Sequence, residues 1–438
     1  MERGQAPCIG GDHRGGSTAR ASRDGCEMGR GKRWRTARYA GAALGVAIGV
    51  AAGGEVRARA SGEHTPAPGR AGLVERFLIP EPVPVPDAAL DRAAALVRAQ
   101  VEREAFPGAV LAAGNRALVQ RVEAFGRTRW EEDAPAADPD ATLYDLASLT
   151  KVVATTSAVM ALVEDRRMAL DAPVRRYLPR FTGEGRDEVT IRHLLTHTSG
   201  LRAGAVTVEG ETPAAARRYL LGLDLALEPG ADVLYSDIGF LVLWLAAEAA
   251  AGEPLPAYLR RRVWGPLGMT STTVGVPRGC ERCAPTLYLQ EADEPYTGGS
   301  YDEIGRRLDG VAGSSGAFST GGDLARFAAM IAAEGRLGDV RIYEPRTVRA
   351  FLAAQPRAGS RALGWEVYCR EAAAAAHEPC GEVLAVGHTG VTGTSLWVDP
   401  GTGTWLILLS NRTYLPRASL EMPAFRRRVF RAISAEGG

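Results

Sequence analysis

A serine and a lysine stand three residues apart in Ser148-Leu149-Thr150-Lys151. On a helix, positions i and i+3 share a face, so the amine can reach the hydroxyl. A serine hydroxyl becomes a nucleophile only when a base takes its proton. Burial and neighbouring charges can bring a lysine amine into that role, whereas an arginine stays protonated. A serine at a helix N-terminus also has unpaired backbone N–H groups beside it that can hold an oxyanion. The composition sharpens this signal. The chain has 52 Lys+Arg, yet only two are lysine, Lys32 and Lys151. With 17 serines in 438 residues, a serine three places before a given lysine is expected at 17/438, about 4%. The bland alternative is a surface lysine beside a capping serine.

Two further groupings carry usable chemistry. Tyr235-Ser236-Asp237 follows a Pro229-Gly230 turn and precedes an apolar run. A phenol next to an ammonium ionises more easily and can shuttle a proton. Taken alone, it also reads as a loop tyrosine with Asp237 capping the next helix. The third is Gly387-His388-Thr389-Gly390-Val391-Thr392-Gly393-Thr394. Small residues at a strand edge let a ligand approach and pair with the backbone, and His388 and Thr389 can hydrogen-bond an acyl group; a Gly-rich hairpin is the alternative. His193 and His197 share a helical face at i and i+4, but no glutamate pattern or third ligand accompanies them, so no metal is expected. Cys280-x-x-Cys283, Cys369 and Cys380 form an even set suited to disulfides, with connectivity open and a zinc site as the weaker alternative.

Taken in order, Ser148-x-x-Lys151, Tyr235-Ser-Asp237 and His388-Thr-Gly390 resemble the three motifs of the serine β-lactamase and penicillin-binding-protein superfamily. The resemblance is strongest to its class C-like branch of esterases, peptidases and transacylases. The segments His193-Leu-Leu-Thr-His197-Thr-Ser-Gly200 and Gly313-Ser-Ser-Gly-Ala-Phe318 are similar too, and the likeness runs from about residue 85 to about 433. It implies an α/β fold, the β-lactamase/transpeptidase-like three-layer sandwich of an antiparallel sheet flanked by helices, with an all-α subdomain. It also implies a serine hydrolase with an acyl-enzyme on Ser148, no cofactor, and an oxyanion hole from the N–H groups of Ser148 and Val391.

Two departures bear on substrate. β-Lactamases usually carry Asn where Asp237 stands, and often Lys or Arg where His388 stands. An ionised Asp237 only accepts hydrogen bonds, and its charge near Lys151 favours the ammonium, which shifts the proton-shuttle role toward Tyr235. His388 is mostly neutral at pH 7 and a weak partner for a carboxylate. Both changes point toward a small ester or peptide-like acyl substrate and away from β-lactams. A D-amino-acid-specific cell-wall peptidase and a non-catalytic covalent sensor or binder are the alternatives.

These residues need elements to hold them. The chain reads as a helix from Asp87 to about Glu104, with Asp87 as its cap, and a hairpin of Ala109–Ala113 and Ala117–Phe125 turning at Gly114-Asn115. A long apolar helix spans Ser148 to Glu164, and another Val189–Thr198. Helices flank Pro229-Gly230 within 212–265, and 277–312 is loop-like. Then come a helix over Leu324–Glu334, strands Leu363–Cys369, Glu382–Gly387, Thr394–Val398 and Trp405–Leu409, and a closing helix Met422–Ile433. This organises the chain as a hydrolase domain over 87–436, with a helical insertion at about 165–310 and one sheet built from both ends.

Ahead of that domain, residues 1–27 form a Gly- and Arg-rich leader, with Met28 as the expected start. Residues 28–60 have the basic, apolar and Ala58-Arg59-Ala60 parts of a secretory signal, a membrane anchor being the alternative, and 61–86 form a Pro-rich linker. Export to the periplasm or beyond is the expectation. The 52 basic against 51 acidic residues leave a net charge of +1, which rules out a broadly basic nucleic-acid binder. Oligomeric state is not legible.

Overall fold

The computed structural model describes residues 81–203, 212–369 and 382–434. The leader, the signal segment, most of the linker and Cys380 lie outside the described residues.

A six-stranded sheet forms the centre. Its strands are β1 (Gly108–Asn115), β2 (Leu118–Gly126), β3 (Glu366–Cys369), β4 (Val383–Thr389), β5 (Ser395–Val398) and β6 (Thr404–Ser410). They lie in the order β3-β4-β5-β6-β1-β2, all neighbours antiparallel. Strands from both ends of the chain meet where β1 pairs with β6.

Because side chains alternate across a strand, each strand feeds two cores. Ala109, Leu111, Ala113, Ala385, Leu406 and Leu408 point to an outer core. It is closed by helices α1 (Asp87–Glu102) and α5 (Met422–Ile433), whose Leu90, Ala94 and Val97, and Phe425, Val429 and Ile433, repeat at three- and four-residue spacing. Val110, Ala112, Val386, Leu396, Ile407 and Leu409 point to the opposite, larger core. It contains α2 (Ser157–Glu164), α3 (Asp237–Ala251) and α4 (Gly321–Ala332). The result is helix, sheet and helix in three layers, with short helices at Ile191–Leu195, Pro213–Gly222 and Leu255–Leu259 between α2 and α4.

The long helix expected from Ser148 is not one regular α-helix. A 3₁₀ turn at Ala147–Leu149 passes into a π turn at Lys151–Thr156 before α2 begins. Ser157 Oγ donates to the Val152 carbonyl at 2.8 Å, which suits the wider five-residue repeat. Three smaller expectations also change. Asp87 makes no cap; it is the first residue of α1, after Pro86. Gly114 and Asn115 belong to β1, and the turn falls on Arg116, at φ 46°, and Ala117. Gly114 is there because a Cβ would meet the Leu118 carbonyl at 2.0 Å, while the Asn115 side chain ties down Thr402 and Val83. The 277–312 segment contains a hairpin, Leu287–Leu289 with Glu294–Tyr296, and a short helix, Glu303–Arg307. Within it Cys280 and Cys283 form a disulfide, and Cys369 is also disulfide-bonded.

Candidate active site

The nucleophile turn is built first. A short strand, Tyr144–Asp145, pairs with Ala317–Ser319 and stops at Leu146. The buried Asp145 carboxylate accepts the N–H of Ala147 at 2.8 Å and that of Tyr301 at 2.7 Å. Those bonds hold Ala147 at φ 46°, a left-handed conformation costly for a residue with a side chain. The turn presents Ser148, half-buried, at the start of the 3₁₀ segment, with Lys151 fully buried one turn later.

Every N–H of the Lys151 amine is used. Nζ donates to Ser148 Oγ at 3.1 Å, to Asp237 Oδ1 at 2.6 Å and to the Ser314 carbonyl at 3.1 Å. The Tyr235 hydroxyl donates to the same Ser148 Oγ at 3.0 Å. Burial pushes the Lys151 amine down, but the Asp237 carboxylate and then Tyr235 outweigh it and leave its pKa above the ordinary lysine value. Burial raises the Tyr235 phenol, with Lys151 opposing. Asp237 is free for this pairing because Ser236, not Asp237, caps α3 by accepting the Gly239 N–H at 2.9 Å.

Tyr235 is held on both sides. The His197 ring lies 4.4 Å from its ring and accepts the Ser236 N–H at Nδ1 at 3.0 Å. The His197 carbonyl accepts the Leu234 N–H at 2.8 Å. Burial, and after it the positive charge of Arg361, hold His197 neutral. The Arg361 guanidinium lies 5.4 Å over the tyrosine ring and ion-pairs Glu366 at 3.2 Å. His193, by contrast, serves helix structure: it forms a capping box with Thr190.

The β4 end supplies the other wall. His388 faces inward, its ring 6.3 Å from Tyr235, with Nδ1 on the Thr389 carbonyl at 2.9 Å. Thr389 points to the opposite face of the sheet and lines a cavity of about 310 Å³ with Tyr368, Trp397, Arg426 and Phe430. Gly390 packs against the nucleophile turn; a Cβ there would meet the Leu146 carbonyl at 2.5 Å. Thr392 Oγ1 donates to the Asp145 carbonyl at 2.8 Å, and Thr394 Oγ1 to the Leu146 carbonyl at 3.0 Å. These two hydroxyls bolt the 390–394 turn to the Ser148 turn. Neither the Ser148 nor the Val391 N–H donates to another backbone group of the described residues.

Ser148, Lys151, Tyr235, Asp237 and His388 therefore meet, and Gly390 and Val391 border them. Sequence reading missed Asp145, His197 as a support for Tyr235, Arg361, and the hydroxyls of Thr392 and Thr394. The pair of threonines in a Gly-rich turn was the one available hint.

Burial lowers the His388 pKa to about 4, against the pull of Glu366. As pH falls from the ordinary histidine value of 6.5 toward about 4, the unfolded chain takes up a proton that the folded protein refuses. Stability is therefore lost across that window, by about 3 kcal/mol for this one group. Urea unfolding of wild type and His388→Asn at pH 7 and pH 4.5 checks this. The wild type should lose more stability than the variant; parallel losses would contradict it.

Comparison with known proteins gives the family and the fold. The family model described as Beta-lactamase matches residues 93–429. The chain is similar to the Escherichia coli K12 protein named "Putative D-alanyl-D-alanine carboxypeptidase", with 27% identity over 315 residues, 65% of this chain and 73% of that one. It is similar to the Bacillus subtilis N-acetylmuramyl-L-alanine amidase, with 27% identity over 348 residues, 71% and 78% of the two chains. Among solved structures, EstCE1, a hydrolase with promiscuous acyltransferase activity, superposes at a TM-score of 0.62 with 23% identity, covering 80% of this chain and 99% of that one. That last likeness speaks for the fold alone. With the family model spanning most of the chain and its fold matched, the protein belongs to the Beta-lactamase family.

Proposed function

We propose that the chain is a serine hydrolase that forms an acyl-enzyme on Ser148 and hydrolyses an ester or peptide-like acyl substrate. The observation that carries the reading is the convergence of Lys151 Nζ and Tyr235 OH on Ser148 Oγ, at 3.1 and 3.0 Å.

Asp237 sits 2.6 Å from Lys151 and favours the ammonium. The reactive form is then the pair with one proton fewer, a Tyr235 phenolate beside a charged Lys151. Tyr235 takes the Ser148 proton as Oγ bonds to the substrate carbonyl carbon, and the carbonyl oxygen becomes an oxyanion held by the Ser148 and Val391 N–H groups. Tyr235 returns that proton to the leaving oxygen or nitrogen as its bond to carbon breaks. Water then repeats the sequence in reverse and frees Ser148. Lys151 keeps its charge throughout and stabilises the phenolate.

Substrate preference follows from what the walls offer. The Asp237 oxygen bonded to Lys151 can donate nothing to a substrate amide, and the neutral His388 supplies no cation for a lactam carboxylate. These features favour esters or peptides over β-lactams. The names of the E. coli and B. subtilis relatives favour a second reading, a cell-wall peptidase acting on D-amino-acid peptides. The Cys280–Cys283 disulfide favours an oxidising compartment and hence export, periplasmic or extracellular.

Purified protein assayed in parallel on p-nitrophenyl butyrate, a D-Ala-D-Ala peptide and nitrocefin tests the reading. Turnover of the ester or the peptide well above that of nitrocefin is expected, and efficient nitrocefin turnover would overturn the substrate assignment. Tyr235→Phe should lower the acylation rate by about 10²- to 10⁴-fold. Near-full acylation by that variant would remove Tyr235 from its role.

A further inference from the structure

The inward face of α5 is formed by Met422, Phe425, Arg426, Val429, Phe430 and Ile433. Five of these are apolar and one is an arginine. Arg426 is 9% exposed, and burying a cation is costly unless strong partners compensate. Its partners are two backbone carbonyls: Nη2 donates to Gly390 O at 2.6 Å and to Thr394 O at 2.8 Å, while Nε has no partner. The acid that acts on it, Glu366, is already committed to Arg361 at 3.2 Å.

Both carbonyls belong to the turn between β4 and β5, and one has a special position. Gly390 C=O and Val391 N–H are the two ends of one peptide unit. The described chain has no cis peptide, so these ends point in opposite directions. Arg426 grips the oxygen from the α5 side. The Val391 N–H is left for a ligand on the other side, on a residue 45% exposed. A cation hydrogen-bonded to an amide oxygen draws charge through the amide and makes its N–H a stronger donor, and linked hydrogen bonds reinforce one another. Thr394 O also accepts the Gly390 N–H at 2.8 Å, so the same guanidinium closes the turn at both ends.

We propose that Arg426 is a positioning residue that sets the strength of the oxyanion hole through the Gly390–Val391 peptide. The inference rests on the reading of the Val391 N–H as an oxyanion donor. An arginine placed here explains why a core position of α5 carries a charge.

The test compares Arg426→Met, Arg426→Gln and Arg426→Lys, each checked for folding by its thermal midpoint. The readouts are kcat and KM on p-nitrophenyl butyrate and the affinity for phenylboronic acid, whose tetrahedral adduct on Ser148 places an oxygen where the oxyanion would sit. Removing one oxyanion donor outright lowers kcat by about 10²- to 10³-fold, so losing the charge behind it should lower kcat by roughly 10-fold. Boronate affinity should fall in step while KM moves little. Arg426→Lys should keep most of the activity, and Arg426→Gln, a neutral donor, should behave like Arg426→Met. If Arg426→Met does not fold, the Lys and Gln variants decide the matter, with equal rates overturning the proposal. Wild-type kcat and boronate affinity in folded Arg426→Gln would likewise overturn it. Val391→Pro, which lacks the N–H, separates the two claims. If it keeps wild-type rate and boronate affinity, the oxyanion assignment itself fails; if it loses both while Arg426→Gln does not, only the role of Arg426 fails.

Discussion

A buried ammonium with no spare hydrogen controls this structure. Lys151 lies in the layer between α3 and the sheet, and its three N–H groups go to Ser148, Asp237 and the Ser314 carbonyl. Each partner comes from a different part of the chain, so the amine is a junction as well as the cation of the cluster. An uncompensated charge at this depth would be very costly. Asp237 removes that cost and also fixes the protonation state, because a carboxylate 2.6 Å away keeps the amine charged. In the proposed mechanism the proton-accepting duty then passes to Tyr235, whose ring is contacted by the His197 ring and the Arg361 guanidinium.

Much of the remaining fold keeps two turns in register. The Ser148 turn hangs on the Asp145 carboxylate, and the 390–394 turn hangs on Arg426. Thr392 and Thr394 join the two through the carbonyls of residues 145 and 146. None of these four side chains has to touch the reacting atoms. They set where the Ser148 and Val391 N–H groups lie, and in the proposed mechanism a donor displaced by a fraction of an ångström loses much of its value to a developing oxyanion. The outer layer is thus tied to this turn: α5 packs the sheet from outside and holds the Gly390 and Thr394 carbonyls with one arginine.

The residues proposed to do chemistry were legible because their types are hard to replace. In a chain that uses arginine for nearly every cation, Lys151 marks itself. The sheet was also legible, since β1, β4, β5 and β6 alternate or run apolar and lie within a few residues of their expected limits. The supports were hidden by distance. Thr392 is 247 residues from its partner Asp145, and no local pattern links them. Arg426 stands in the run Arg426-Arg427-Arg428, where only the helical period places the first of the three inward. Gly114 looked like a turn residue and proved to be a point of close backbone approach. The irregular start of the nucleophile helix was hidden because 3₁₀, π and α turns all suit the same apolar residues.

The central claim is that Ser148 is activated within a cluster whose cation must be the amine at 151. Intact-protein and peptide mass spectrometry after brief exposure to a fluorophosphonate, on wild type and on Lys151→Arg shown to be folded, tests it most directly. The account predicts a single adduct on Ser148 in the wild type and at least a 100-fold slower adduct in the variant, since the larger planar guanidinium cannot meet Ser148, Asp237 and the Ser314 carbonyl as the compact ammonium does. Labelling of Lys151→Arg at the wild-type rate, or an adduct on a residue other than Ser148, would contradict it.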